Sequence, residues 1–295
     1  MRFHPAHHSR RRSGTRSGVT VIELMVTLAT IGVLVGLLVP AVQSAREASR
    51  RLTCSANLHQ IGIAVASYSE VYNSLPPSSM RKLRGFLFPE SAVAADRNGF
   101  IVHAVLACPS DSVASTALGN QSYYYNDGAS MDHYGNGVVG YRSGTRAKYI
   151  DISAIQDGLS TTAAASERLP LPRQVIRLET DYRTLVATMG RRLFHKTQQS
   201  RTIVDEFADE CRYRYEEIPP LISFGQYYNH FLTPNVRDCY NGRMTHRKVV
   251  SAKSYHPGGV NVLMADGSTH FFSDHVSLEV WRAIATRDGN DVVNF

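Results

Sequence analysis

The stretch Val19–Val39 reads VTVIELMVTLATIGVLVGLLV and governs how the rest of the chain is organised. It holds 21 residues with one charge, Glu23, and so meets the requirement of about 20 apolar residues for crossing a hydrocarbon core. Ahead of it Arg2, Arg10, Arg11, Arg12 and Arg16 stand in a segment with no acidic residue. Arg46, Arg50 and Arg51 follow it. That bias predicts a single-pass protein with the N-terminus in the cytoplasm and the bulk of the chain outside. A secretory signal competes with this reading. Against it, the apolar run exceeds a signal core of roughly 7–15 residues, and no convincing small-x-small cleavage site follows Pro40.

Composition agrees. Of 295 residues, 43% are hydrophobic and 19% charged, a globular balance that excludes disordered, collagen-like and multi-spanning chains. The formal net charge of +7 would ordinarily suggest a nucleic-acid partner. Setting the five leading arginines aside from the 32 bases leaves 27 against 25 acids, so the remainder is near neutral. No nucleic-acid face is expected.

Glu23 needs a partner. A carboxylate at the centre of a membrane helix costs on the order of 2.5–3.5 kcal/mol by analogy with other charged groups, and such a residue is a functional hypothesis by default. The partner expected here is a free α-amino group on Val19, released by cutting after Gly18. These residues resemble the precursors of type IV pilins and type II secretion pseudopilins. The matching pattern is a short basic leader ending in Gly18, a hydrophobic residue at the cut, Glu23 at the fifth mature position and Pro40 farther along. Val19 departs from the Phe usual in that class. The resemblance implies a prepilin peptidase that cuts between Gly18 and Val19 and methylates the new amine. It also implies a home in the bacterial inner membrane and assembly with other prepilin-like subunits or secretion machinery, which can carry the head to the cell surface or beyond. Gly32 and Gly36 add a G-x-x-x-G pair, which lets membrane helices approach closely.

Beyond Pro40, Leu58, Ile61, Val65, Tyr68, Tyr72 and Leu75 recur with helical spacing until Pro76-Pro77 stops the pattern. The expected organisation is a cleaved leader over 1–18, a membrane half-helix over 19–40 and an amphipathic stalk over 41–75. An extracytoplasmic head fills 76–295, with an insertion expected near 170–253. The stalk face is expected to pack on neighbouring copies and on its own head. Within the head, GVNVLMADGSTHFF at Gly259–Phe272 is a hairpin, with Asp266-Gly267 read as a two-residue turn needing positive φ at both positions. Ser277 should cap a helix through SLEVWRAIATR. The fold class is α+β and pilin-like: a long N-terminal helix packed on a mostly antiparallel, β-rich head.

The head also resembles a large group of prepilin-type bacterial proteins whose domain function is unknown. The matching pieces are CSANLHQIGIAVASY at Cys54–Tyr68, LACPSD at Leu106–Asp111, DISAIQDGLSTT at Asp151–Thr162, and HPGGVNVLMADGS at His256–Ser268. The last carries His256, nine residues, then Asp266-Gly267. The motif positions of Cys54 and Cys108 imply a disulfide between them, leaving Cys211 with Cys239; buried free thiols stay open as the alternative.

The four cysteines show no C-x-x-C or C-x-x-H spacing, so no structural zinc site is expected. His256 and Asp266, near His246, His270 and His275, suggest an acid–base or metal site, against which stand simple loop and turn roles. Asp266, with backbone oxygens, is a candidate place for a calcium ion, without the Asp-rich loop that would strengthen that reading; no other cofactor is expected. The G-x-G-x-x-G run at Gly135–Gly140 is followed by no amphipathic helix and reads as a loop. Tyr123, Tyr124, Tyr125, Tyr134, Tyr141 and Tyr149 read as a sheet face rather than a glycan surface. The sequence therefore favours a non-enzymatic prepilin-like subunit of a pilus-like or pseudopilus-like assembly. A membrane-tethered solute- or glycan-binding module is the alternative, and an extracytoplasmic hydrolase the third reading.

Overall fold

The computed structural model describes residues 18, 20–77, 80–87, 104–111, 121–129, 136–138, 141–143, 146–169, 186–189, 227–236, 238–241 and 248–289. The chain divides into two units, Met1–Arg46 and Glu47–Phe295. Helix α1 (Val21–Tyr72) contributes to both and runs through Pro40.

In the first unit every described residue from 20 to 46 is exposed, although the stretch is almost wholly apolar. An α-helix hydrophobic all round needs an apolar surrounding, and α1 is long and apolar enough to cross a membrane. Its start is a capping box. The Thr20 N–H donates to Glu23 Oε2 (2.9 Å), and the Glu23 N–H donates to Thr20 Oγ1 (3.3 Å). Glu23 thus has a local partner in Thr20, one the sequence reading passed over. Val19 lies outside the described residues.

In the second unit α1 buries one stripe, including Cys54, Leu58, Ile61, Val65 and Tyr68, in the core of its own head. Tyr72, expected on that stripe, is 58% exposed. The helix ends there rather than at Leu75. Asn73 adopts φ +49°, a left-handed conformation that asparagine tolerates and that closes a helix. The prolines therefore lie beyond the true stop. A one-turn helix, α2 (Arg84–Leu87), brings Phe86 against the same core.

The head is built on five strands: β1 (Tyr123–Asn126), β4 (Ala163–Glu167), β6 (Tyr227–Tyr228), β9 (Gly259–Met264) and β10 (Thr269–Ser273). They form one mixed sheet in the order β10-β9-β4-β1-β6. All neighbours pair antiparallel except β1 with β6. The central strands β4 and β9 are buried at every residue, which requires cover on both faces. Strands β2 (Tyr141–Ser143) and β3 (Arg146–Lys148) form a separate ribbon. Strands β5 (Val186–Met189), β7 (Asp238–Asn241) and β8 (Lys248–Val249) form a three-stranded sheet. The stretch read as an insertion thus supplies an edge strand, β6, to the main sheet. Among the tyrosines, Tyr123 and Tyr125 are buried in it while Tyr149 is 53% exposed. Tyr134 and the side chain of Tyr141 lie outside the described residues.

Two local readings need correction. The β9–β10 hairpin does not use a two-residue turn. The Gly267 N–H donates to Met264 O (3.0 Å), so Ala265 and Asp266 are the central residues. Only Gly267 has positive φ, +89°. This is a type I turn followed by a left-handed glycine, a three-residue connection that suits the strand twist. The C-terminal helix, here α3 (Leu278–Ala283), begins as expected, with Ser277 Oγ accepting from the Val280 N–H. It is shorter than the sequence run, with Ile284 as its C-cap.

Candidate functional site

A buried polar cluster of the head lies where α1 meets the sheet, and its centre is His256. Local hydrogen bonding fixes that residue. Ser254 Oγ accepts from the His256 N–H (3.1 Å) and donates to Gly259 O (2.7 Å), tightening the loop before β9. Gly258 at φ +83° then turns the chain into the strand.

The imidazole is fully buried and lies between two carboxylates. Its Nδ1 is 2.7 Å from Glu47 Oε1 on α1, and its Nε2 is 3.2 Å from Glu167 Oε1 at the end of β4. Glu167 is 1% exposed and is held by Asn261 of β9, whose N–H and Nδ2 donate to its two oxygens (2.9 and 3.0 Å). Glu47 also accepts from Arg50 Nε (2.9 Å). With an acceptor at each ring nitrogen, the arrangement suits the doubly protonated imidazolium. Burial alone would lower the His256 pKa. The hydrogen bond and charge of Glu167, followed by those of Glu47, outweigh it, so the group is held above its ordinary value. Burial likewise raises Glu47, but the hydrogen bonds from His256 and Arg50 leave its carboxyl net lowered.

A disulfide joins Cys54 of α1 to Cys108, whose Sγ is 3.4 Å from His256 Nε2. The loop carrying Cys108 is ordered by its own residues. The Cys108 N–H donates to Ser122 Oγ, which donates to Asp111 Oδ2 (both 3.0 Å). One turn along α1, Asn57 Nδ2 donates to Ala107 O and to the Tyr123 hydroxyl. Farther on, His59 Nδ1 lies 2.9 Å from Gly267 O at the hairpin tip. Gly62 lets the same tip approach, since a Cβ there would sit 2.9 Å from Leu263 Cδ1 and 3.2 Å from Gly267 Cα. Three of the four motif pieces quoted from the sequence, Cys54–Tyr68, Leu106–Asp111 and His256–Ser268, are therefore the places where helix, loop and hairpin fasten together.

The family comparison falls on this framework. A family model described as "Protein of unknown function (DUF1559)" matches residues 43–104 and 83–279. The chain belongs to this family. The DUF1559 match takes in Glu47, both bonded cysteines, Glu167, His256 and the hairpin, and with the apolar helix it fits a prepilin-like protein anchored at a membrane. No curated protein matches the chain, and no solved structure does.

The structure separates His256 from Asp266 in role. Asp266 is at the hairpin tip, where its Oδ1 accepts from the Ser268 N–H (2.8 Å) and Oγ (2.6 Å). His270 is exposed and meets Ser268, and His275 is a turn residue whose N–H donates to Ser273 Oγ. His246 and Cys211 lie outside the described residues, as does the side chain of Cys239. Sequence reasoning missed Glu47 and Glu167 as the partners of His256. For Glu167 a signal existed: a single carboxylate ending the apolar strand AAASE. Glu47 carried none, being one charge among the several of Arg46, Glu47, Arg50 and Arg51 on the same helix.

Proposed function

We propose that this chain is a non-enzymatic, prepilin-like subunit of a pilus-like or pseudopilus-like assembly. A prepilin peptidase cuts it between Gly18 and Val19 and methylates the new amine. Helix α1 holds it in the bacterial inner membrane, with the head outside. The observation that carries this reading is α1 itself, exposed and apolar through the first unit and buried along one stripe in the second. The polar cluster supports a structural rather than a catalytic head. His256 has no accessible surface, and both its ring nitrogens are engaged.

The test has two parts. Coexpressed with a prepilin peptidase, the full chain should give a mature N-terminus at Val19 by intact mass. An N-terminus in the Ala41–Ala48 region would mean an ordinary signal peptide. Assembly is then read by site-specific crosslinking between copies. Leu58, Ile61 and Val65, the stripe the periodicity picks out, are buried in the chain's own head and cannot report contacts between copies. Probes belong at Leu52 and Ile63, which are 70% and 57% exposed. Crosslinks should form in the parent and fall at least several-fold in Glu23→Val. Efficient membrane insertion with no crosslinks in the parent would replace this reading with the tethered binding module.

A further inference from the structure

We infer that the buried cluster around His256 is a zinc site held closed by its own disulfide, able to take one Zn2+ when Cys54 and Cys108 are reduced. The donor set comes from four separate parts of the fold: Cys54 of α1, Cys108 of the following loop, Glu167 of β4 and His256. All four residues are buried, and one donor atom of each lies within 4.8 Å of the others. Two thiolates, an imidazole and a carboxylate are ligands that Zn2+ accepts in tetrahedral geometry.

Three edges of the tetrahedron are already close to the required lengths. With Zn–S near 2.3 Å and Zn–N or Zn–O near 2.0 Å, ligand atoms stand about 3.3–3.8 Å apart. His256 Nε2 is 3.4 Å from Cys108 Sγ and 3.2 Å from Glu167 Oε1, and Cys108 Sγ is 3.9 Å from the same oxygen. Cys54 Sγ must part from its bonded neighbour, and Cys108 Sγ must draw slightly closer to the Glu167 oxygen. The outer shell is also in place. Ligating histidines characteristically donate their second ring N–H to a carboxylate, and His256 Nδ1 meets Glu47 at 2.7 Å. Ligating carboxylates are themselves hydrogen-bonded, and Glu167 receives both donors of Asn261. In the oxidised chain the Nε2 proton stands where the metal would stand, facing the same sulfur and the same oxygen.

The chemistry balances. A dithiol reductant supplies two electrons and two protons, becomes a disulfide, and opens the Cys54–Cys108 bond to two thiols. Binding of Zn2+ then releases the two thiol protons and the Nε2 proton of His256. The ligand spacings along the chain, 54 residues between the cysteines and 89 between Glu167 and His256, explain why no short zinc motif appears in the sequence.

The experiment uses the full chain in detergent, oxidised or reduced, dialysed against Zn2+ and separately titrated with Co2+ as a spectroscopic probe. The reduced chain should retain one Zn2+ beyond the oxidised one and give thiolate-to-cobalt charge-transfer absorption that the oxidised form lacks. Glu47→Gln, which keeps every ligand, should weaken binding by about 10–100-fold. Cys108→Ser and His256→Gln should abolish the charge-transfer bands. Should reduction unfold the head, added Zn2+ must restore its near-UV circular dichroism, because metal that binds only the folded state drives folding. A reduced chain that takes up no zinc and does not refold overturns the inference. Uptake unchanged in Cys108→Ser or His256→Gln, which places the metal elsewhere, overturns it equally.

Discussion

Two buried histidines set opposite electrostatic demands on the head. His256 is stabilised as a cation between Glu47 and Glu167. His230 is held neutral, its Nδ1 2.7 Å from Trp281 O, its Nε2 2.9 Å from the Tyr228 hydroxyl, and its ring stacked on Trp281 at 4.0 Å. Burial, opposed only by the hydrogen bond to Trp281 O, pushes its pKa down to about 3. The unfolded chain protonates His230 near 6.5, so between pH 6.5 and 3 the unfolded state binds the extra proton. Stability then falls on acidification by up to about 1.4 kcal/mol per pH unit. His256 works on the other side. Its folded value is raised, so its contribution is full below pH 6.5 and is lost as pH climbs through that folded value. Urea midpoints across pH should show the acid-side slope weakened in His230→Gln. The deficit of His256→Gln, about 3 kcal/mol for leaving a buried carboxylate unpaired, should hold steady below pH 6.5 and shrink above it. Identical pH profiles in parent and variants would refute both assignments.

Among the elements, the β9–β10 hairpin shows how far the sequence could be read. Alternation around Asp266-Gly267 identifies the hairpin, and Ser277 marks the next helix start, because both signals are local. The turn type is not local. It depends on the register Thr269↔Leu263, which makes the loop three residues and leaves Asp266 at negative φ. This changes the mutational expectation. Gly267→Ala should cost about 1–3 kcal/mol, since φ +89° strains any residue with a Cβ. Asp266→Val removes only the exposed hydrogen bonds to Ser268 and should cost roughly 0.5–1.5 kcal/mol. Thermal melting of the two variants checks the order, and a larger loss at Asp266 would reinstate the two-residue turn. For α1 the periodicity found the buried stripe, but a stripe looks the same whether its cover is another copy or its own head. Here the sheet supplies the cover.

At the scale of the whole head, the α+β class was legible from apolar patterning, while the cluster around His256 was not. Its carboxylates lie 209 and 89 residues away from His256, and no spacing rule reaches that far. The Cys54–Cys108 bond closes a long loop, with a sequence separation of 54. Removing it should relieve the unfolded chain of a constraint worth roughly 2–4 kcal/mol. Cys54→Ala/Cys108→Ala should therefore shift the urea transition of the head by that amount. An unshifted transition would mean that the remaining contacts alone confine the helix.

The contact between Glu47 and His256 also orders events in time. A ribosome releases Glu47 long before His256 exists, and His59 and Gly62 long before the Gly267 they meet. The stripe of α1 that ends in the core, including Leu58 and Ile61, must therefore wait bare while about two hundred further residues are made. Closing contacts at such sequence distance is slow, and an exposed apolar helix invites wrong partners meanwhile. Escorting the nascent chain, rather than stabilising the finished one, is then the demanding step in making this protein.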